Sequence, residues 1–148
     1  MLVHQRLLDL MQAALLAGTP VAGGNIQRQR NRPMADGVAQ MVSLRLISSQ
    51  GAPLFLGGDA PIEWRSVVAV ECLARASSSS VTPDAAVAEL LAAVHARITS
   101  DSETKLAEYR IDPDHRIEWD QDELDERIGA ATSIYTVRHL GALESIAV

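Results

Sequence analysis

The chain has 148 residues, of which 47% are hydrophobic and only 3% aromatic, and it carries a formal net charge of −6. This length favours one domain with its own hydrophobic core, and this hydrophobic content excludes a disordered chain. An acidic chain with so few aromatic rings is a poor candidate for a general nucleic-acid-binding protein.

The single cysteine, Cys72, has no second cysteine with which to form an internal disulfide. We predict a small buried hydrophobic residue there rather than a reactive thiol. No apolar run reaches the roughly eighteen residues of a membrane span, and the N-terminus does not have the pattern of a signal peptide. We therefore expect a protein that folds in a reducing cytoplasm.

The N-terminal segment Val3–Leu16 has apolar residues at helical spacing and is followed by Gly18 and Pro20, which favour a helix end. We predict an amphipathic helix packed on a sheet.

The next segment, residues 25–32, alternates in the manner of an extended strand and would place Arg28, Arg30 and Arg32 on one side. Two interpretations remain open. The arginines either form a charged edge that blocks unwanted sheet pairing or form a patch that binds an acidic partner. Pro33 ends the alternation, and residues 33–37 are predicted to be a loop.

The segment Met41–Ser48 has good strand patterning, with Val42, Leu44 and Leu46 opposite Ser43 and Arg45. Residues 48–51 are predicted to form a turn, and residues 48–60 as a whole a flexible loop. The pattern does not decide between a hairpin extension and a mobile loop for this segment.

The stretch Ile62–Arg75 is predicted to be the central strand, because it is rich in β-branched and apolar residues and contains no Gly or Pro. One of its faces is almost entirely apolar, interrupted only by Ser66. Since fourteen residues exceed the usual strand length, we expect this strand to continue past the sheet at one end.

A second helix is predicted to begin at Pro83, with Thr82 as its cap and an apolar stripe that includes Val87, Val94 and Ile98. His95 lies away from the centre of that stripe and is predicted to be a surface histidine rather than a ligand.

Beyond residue 100 the composition becomes acidic. Residues 107–111 and 116–119 are predicted to be two strands joined by a turn at residues 112–115, and the last strand is predicted at residues 130–140. Residues 122–127 are predicted to be one helical turn or a loop.

No motif in the sequence indicates catalysis. Asp112-x-Asp114 starts like a calcium loop, but Ile117 stands where such a loop needs glycine. His115 beside these acids is a weak candidate metal ligand, and an acidic turn next to a histidine is usually only solvated. Nucleophile elbows, phosphate-binding glycine loops and paired zinc-ligand motifs do not occur in the sequence. We expect no active site and no cofactor.

Charge is distributed unevenly along the chain. Residues 1–50 carry five arginines against two aspartates, whereas residues 101–126 carry eleven acids against three bases. Such basic and acidic parts meet either within one molecule or between neighbours. If they meet between neighbours, two different patches are in contact, and a head-to-tail contact of this kind closes into a ring when its rotation allows.

The order of these elements resembles the tail terminator (tail completion) proteins of long-tailed bacteriophages and prophages. The resemblance covers nearly the whole chain and depends on order and pattern rather than on a short motif. The matching parts are the arginines that precede Pro33, the central strand with Glu71 near its end, and the helix that starts at Pro83.

The resemblance implies an α+β fold, with a mixed, mainly antiparallel sheet and two helices packed on one face. It also implies a structural protein without enzymatic activity that forms a hexameric ring on the tail tube. This ring stops polymerisation of the tube and presents the surface to which the head connector or stopper protein binds. Some family members have loops that become ordered on assembly, and residues 50–60 are a candidate for such a loop. The long acidic region departs from the pattern.

The resemblance implies a protein of the virion tail or neck that is assembled in the host bacterial cytoplasm. Its partners would be further copies of itself, the tail tube protein and the head–tail connector. The alternatives are another neck or head-completion protein and a small metal- or ligand-binding domain. The residues predicted to lie at subunit or partner interfaces are Arg28, Arg30, Arg32, Arg45, Glu71, Asp112, Asp114, Glu118 and Asp120.

Overall fold

The fold is α+β, with a mixed, mainly antiparallel sheet and two helices on one of its faces. The computed structural model describes residues 3–28, 34, 37–100, 109–121 and 127–141. Within these residues the sheet has five strands in the order β1-β2-β3-β5-β4, and only β1 and β2 are parallel. The predicted fold class is confirmed. The elements are α1 (Val3–Leu16), β1 (Ile26–Gln27), β2 (Gln40–Pro53), β3 (Ile62–Arg75), α2 (Pro83–Ser100), β4 (Arg110–Gln121) and β5 (Ile128–Gly141).

The central strand β3 has the predicted bounds, and the predicted dry face is the one that the helices cover. The expectation that it continues past the sheet is wrong. It pairs from Ile62 to Ala74 with β2 and from Ile62 to Arg75 with β5. The neighbouring strands are equally long, so the backbone groups of β3 have ladder partners on both sides along the strand.

The predicted turn at residues 48–51 is wrong, because β2 continues through it to Pro53. A bulge between Leu46 and Ser48 shifts the register, and pairing with β3 then resumes. Gly51 lies opposite Trp64, and a Cβ atom on this glycine would be 2.7 Å from the Trp64 ring. This glycine marks a close approach of ring and backbone rather than a turn. Residues 48–53 are therefore a hairpin extension, and only residues 54–61 connect the two strands.

The edge strand β4 also differs from prediction, because residues 112–115 form no turn between two strands. Arg110–Pro113 and Ile117–Gln121 pair with the same neighbour, β5, and the intervening residues form a bulge. Pro113 is tolerated because β4 lies at the edge of the sheet. Of the predicted strand at residues 25–32, Ile26 and Gln27 form β1. Residues 29–33, 107–108 and 122–126 lie outside the described residues.

The main core fills the space between the sheet and the two helices. The predicted stripe of α2 is buried, and its N-terminus is capped as expected, since Thr82 Oγ1 accepts a hydrogen bond from Ala85 N at 3.2 Å. Cys72 is fully buried in this core, and burial raises the pKa of its thiol to about 12. Among the described residues, no helix is both long and apolar enough to cross a membrane.

Arg97 joins the two helices in a way that the sequence did not indicate. Its guanidinium donates hydrogen bonds to three backbone carbonyl groups. One is that of Ala14 in the last turn of α1 (3.3 Å), and the other two, those of Ala17 and Thr19 (3.0 Å), follow the helix. The Ala14 carbonyl belongs to the last turn of α1, where the negative end of the helix dipole favours a cation. This contact fixes α1 against α2.

Gly129 allows α2 to lie directly on β5. A Cβ atom there would overlap the Pro83 carbonyl group, 2.7 Å from its carbon, and this neighbour is backbone that cannot rotate away. We expect Gly129→Ala to lower the free energy of unfolding by about 1–3 kcal/mol through overpacking, as measured by urea denaturation. Gly58→Ala is the matched control, because a Cβ atom at Gly58 meets nothing within 4 Å. Equal stability of the two variants would contradict this account of the contact.

The second face of the sheet is covered at one end only. Met34 and Val38 pack there against a small cluster from the ends of three strands, Met41, Leu73, Ala130 and Ile128. The remainder of this face, which we call the open face, has no helix over it in the described part of the chain.

Candidate interface on the open face of the sheet

The open face presents alternate residues of four strands in aligned rows, because the strands pair in register on either side of the bulges in β2 and β4. The rows follow β3 at Glu63, Arg65, Val67, Ala69 and Glu71, and the flanking strands add their own outward side chains. Polar and charged groups predominate at both ends, and small or apolar groups predominate in the middle. Side chains on such a face are available to a partner.

Arg28 does not belong to this face. Its guanidinium binds Asp9 of α1 and also donates a hydrogen bond to the Gln5 carbonyl at 3.4 Å, on the helix side of the sheet. An intramolecular contact therefore occupies a group that we predicted for an interface. Arg30 and Arg32 lie outside the described residues.

Five of the other predicted interface residues are brought together on the open face. Arg45 is exposed on β2, Glu71 is half-buried on β3, and the rest belong to β4, namely Asp112, Glu118 and Asp120. Asp114 lies apart in the β4 bulge, where it accepts a hydrogen bond from the Arg116 backbone N–H at 3.2 Å. An interface role for these residues stays a prediction.

A row of three arginines crosses the open face and was missed by the sequence analysis. Arg65 on β3 is the direct partner of Arg138 on β5, which is in turn the direct partner of Arg110 on β4. Like charges placed directly opposite each other destabilise a sheet. Only the strand register shows that these arginines are neighbours. A single sequence does not provide that register, because the three residues lie far apart along the chain.

The carboxylates near this arginine row form only long contacts with the arginines. Asp112 lies 3.6 Å from Arg110 Nε and 3.8 Å from Arg138 Nε, and Glu63 lies 3.8 Å from Arg65 Nε. Exposed ion pairs of this kind stabilise a fold by about 0–1 kcal/mol each. The side chains of Arg65 and Arg110 are 57% and 70% exposed, so their remaining donors face solvent.

The opposite end of the open face is acidic. Glu71 and Glu118 share a row with Thr132 between them, and Asp120 follows in the next row of β4. Glu118 lies 3.2 Å from Arg116 and is 67% exposed. The open face therefore has a cationic end and an anionic end.

The hairpin that joins β2 to β3 carries a group of exposed apolar side chains. Leu54, Phe55 and Leu56 are 49%, 59% and 100% exposed, and Ile47 on the same hairpin is 50% exposed. Contiguous exposed apolar side chains usually mark a contact surface.

Within the described ranges, a histidine–serine contact lies buried beneath α1. His139 Nε2 lies 2.9 Å from Ser66 Oγ, which is also hydrogen-bonded to Ser49, and His4 and Trp64 pack around the pair. Burial and the neighbouring His4 lower the pKa of His139 to about 4. Ser66 is 0% exposed, so a substrate has no access to this pair.

His95 is exposed as predicted, and it contacts the buried Tyr135, whose hydroxyl lies 3.0 Å from His95 Nδ1. This pair lies beside a largely apolar pocket of about 250 Å³ between α2 and the β4 bulge, with Ile117 and Asp114 at its rim. Burial raises the pKa of the Tyr135 hydroxyl.

The predicted alternative of a metal site at the acidic turn finds no support in the described residues. They contain no group of three or more His, Cys, Asp or Glu placed to hold an ion. Asp112 faces arginines, and Asp114 accepts a backbone hydrogen bond. The side chain of His115 lies outside the described residues.

Comparison with known proteins gives a structural match without a sequence family. No protein-family model matches the chain, and no curated protein matches it. Among solved structures, the chain is similar to one from the virion of a native gene transfer agent particle. The two share 16% sequence identity with a TM-score of 0.55, and the match covers 90% of this chain and 93% of that one. At this identity the match establishes a shared fold.

Proposed function

We propose that this protein is a structural subunit of a phage-type virion, and specifically a tail terminator protein. In this role it forms a hexameric ring on the end of the tail tube, ends tube polymerisation and provides the surface for head attachment. It acts in the tail or neck of the virion after assembly in the host cytoplasm. Its partners are other copies of itself, the tail tube protein and a head–tail connector or stopper protein.

The observation that carries this proposal is the nearly complete overlap of fold with a chain from a gene transfer agent virion. The whole described fold enters that match, so the likeness is not limited to one common motif. The order of elements in the sequence independently resembles the tail terminator family. The segregated charges of the open face add a surface suited to contacts between proteins.

A structural role also fits the chemistry of the described residues. The Ser66–His139 contact is closed to substrate, and the raised pKa of Cys72 keeps its thiol protonated at neutral pH. The polar groups that do reach solvent on the open face are arginines and carboxylates in aligned rows, an arrangement suited to protein recognition.

The test is a capping assay with purified tail tube protein from the same genome. Added protein should stop tube growth in proportion to its concentration, and electron microscopy should show a six-fold ring at one tube end. Binding to portal rings without binding to tubes would instead identify a neck or head-completion protein. Absence of binding to both assemblies would refute the virion proposal.

Arg45→Glu is the sharpest variant for the ring contact, because Arg45 is exposed on the open face. We expect weaker capping with a change in unfolding free energy within about 0.5 kcal/mol. Arg28 is unsuitable, since its reversal would also break the contact with Asp9 in α1. Arg6→Glu, an equal charge change on the exposed side of α1, is the control and should cap normally.

A further inference from the structure

The open face carries opposite charges at its two ends at a fixed spacing. The row of Arg65, Arg138 and Arg110 lies three two-residue steps along β3 from the row of Glu71, Thr132 and Glu118. At about 3.3 Å per residue, these rows are roughly 20 Å apart. The two rows between them hold Val67, Ala69 and Ile134 together with the charged Arg45 and Asp112 at their ends.

A surface of this kind is complementary to itself. A two-fold axis that runs across the strands, midway between the charged rows, places each strand over the same strand of a second copy with its direction reversed. Arg65 then lies over Glu71 of the second copy, and Arg110 lies over Glu118. Symmetry repeats both pairs, and the two rows between them, which also carry Arg45 and Asp112, meet in the middle.

We infer that the open face is a docking surface for the open face of a second copy of this chain, and that the arginine row is its cationic half. The pairing is isologous, unlike the head-to-tail contact of the proposed ring, and because it covers the row of Arg45 the two contacts at this face exclude each other. It does not depend on the proposed function.

The size of the face agrees with a reversible dimer. The five rows from Glu63 to Glu71 across four strands cover roughly 600 Å² at the usual strand and residue spacings. Two copies together then bury about 1,200 Å², at the lower end of specific interfaces. The dimer should accordingly depend on protein concentration and weaken as salt rises.

The arginine row of a single chain can bind further carboxylates, such as those of a second copy. Three arginines are aligned across adjacent strands, and their own carboxylate neighbours lie 3.6 to 3.8 Å away. A second copy adds carboxylates beside the arginine row, where the positive charges of one chain are closest to each other. Packing of the two sheets also removes water from these pairs, which strengthens them.

The experiment is sedimentation velocity of the full chain over a range of concentrations at low and high salt. Wild-type protein should show a monomer–dimer equilibrium that shifts to monomer at high salt. Arg110→Glu should raise the dimer dissociation constant by about tenfold or more, because symmetry applies the change twice. Arg6→Glu, with the same charge change on α1, should leave the constant unchanged.

A charge-swap variant tests whether the arginine row of one copy contacts the acidic row of the other copy. Arg110→Glu combined with Glu118→Arg should restore the dimer to within about threefold of wild type, whereas either single change weakens it. The two residues lie in rows roughly 20 Å apart, so recovery cannot arise within one molecule.

Several results would overturn the inference. These are a strictly monomeric wild-type chain at all concentrations, an Arg110→Glu dimer as tight as wild type, and failure of the swap to restore association. If Arg110→Glu abolished binding to tail tubes while the wild-type chain stayed monomeric, the arginine row would belong to a contact with another protein. Tube capping is measured separately, so the two proposals fail independently.

Discussion

Replacement of Tyr135 by alanine should lower the free energy of unfolding by about 4 kcal/mol. Tyr135 is among the largest fully buried side chains of the described residues, and it lies on β5 between Val68 and Pro113 of the neighbouring strands. Truncation removes the ring from the water-excluded core and leaves a cavity, and aromatic-to-alanine changes in cores typically cost about 3–5 kcal/mol. Urea denaturation with a two-state fit measures the change.

Tyr135→Phe separates the ring from its hydroxyl. It keeps the packing and loses only the hydrogen bond with His95, so the expected loss is about 1 kcal/mol. Equal losses for the two variants would show that the hydrogen bond, rather than burial of the ring, stabilises this part of the core.

Acidification should destabilise the fold well above the pH at which most carboxylates titrate. His139 has its pKa lowered from 6.5 to about 4, because burial and the nearby His4 oppose its charge. Since the folded state favours the neutral ring, the stabilisation is complete above pH 6.5 and is lost as the pH falls toward 4. A difference of this size corresponds to up to about 3 kcal/mol.

The geometry explains why protonation is unfavourable. His139 Nε2 already contacts Ser66, and Nδ1 has no hydrogen-bond partner in the described part of the chain. Protonation would therefore create a buried charge with an unpaired N–H beneath α1. The pKa of His4 is also lowered by burial, so both rings favour the neutral form.

His139→Gln is the test variant, because glutamine retains hydrogen-bonding groups but does not titrate. Unfolding free energies measured between pH 7 and pH 4.5 should fall less steeply in this variant than in wild type. A parallel decline in both proteins would assign the acid sensitivity to other groups.

Much of the fold was predictable because local signals agreed with it. The bounds of α1 and β3 and the start of α2 followed from apolar periodicity, from the absence of Gly and Pro inside β3, and from the cap at Thr82. Two of the three errors in the strands came from residues that usually indicate turns. Gly51 and Pro113 lie within strands because a tryptophan ring covers the first and a sheet edge accommodates the second.

The candidate interface was only partly predictable. The charge count indicated Glu118 and Asp120, since the acids of β4 are visible in one stretch of sequence, and the family resemblance indicated Glu71 on β3; their interface role stays a prediction. Arg28 contacts Asp9 of α1, nineteen residues away along the chain, which charge counts did not indicate, and its interface role stays a prediction. The row of Arg65, Arg138 and Arg110 depends on which strands become neighbours and in which register, and hydrophobic pattern alone does not contain that information.

The complete pairing of β3 has a consequence for how the chain is made. Its ladder with β2 forms from a local hairpin, whereas its other ladder needs β5, since Arg75 pairs with Ile128 and Ile62 with Gly141. During synthesis on the ribosome, the apolar hairpin thus emerges with one unprotected edge until the last strand follows. Nascent chains are most open to misassembly in that interval, so late truncations should aggregate rather than accumulate as folded fragments.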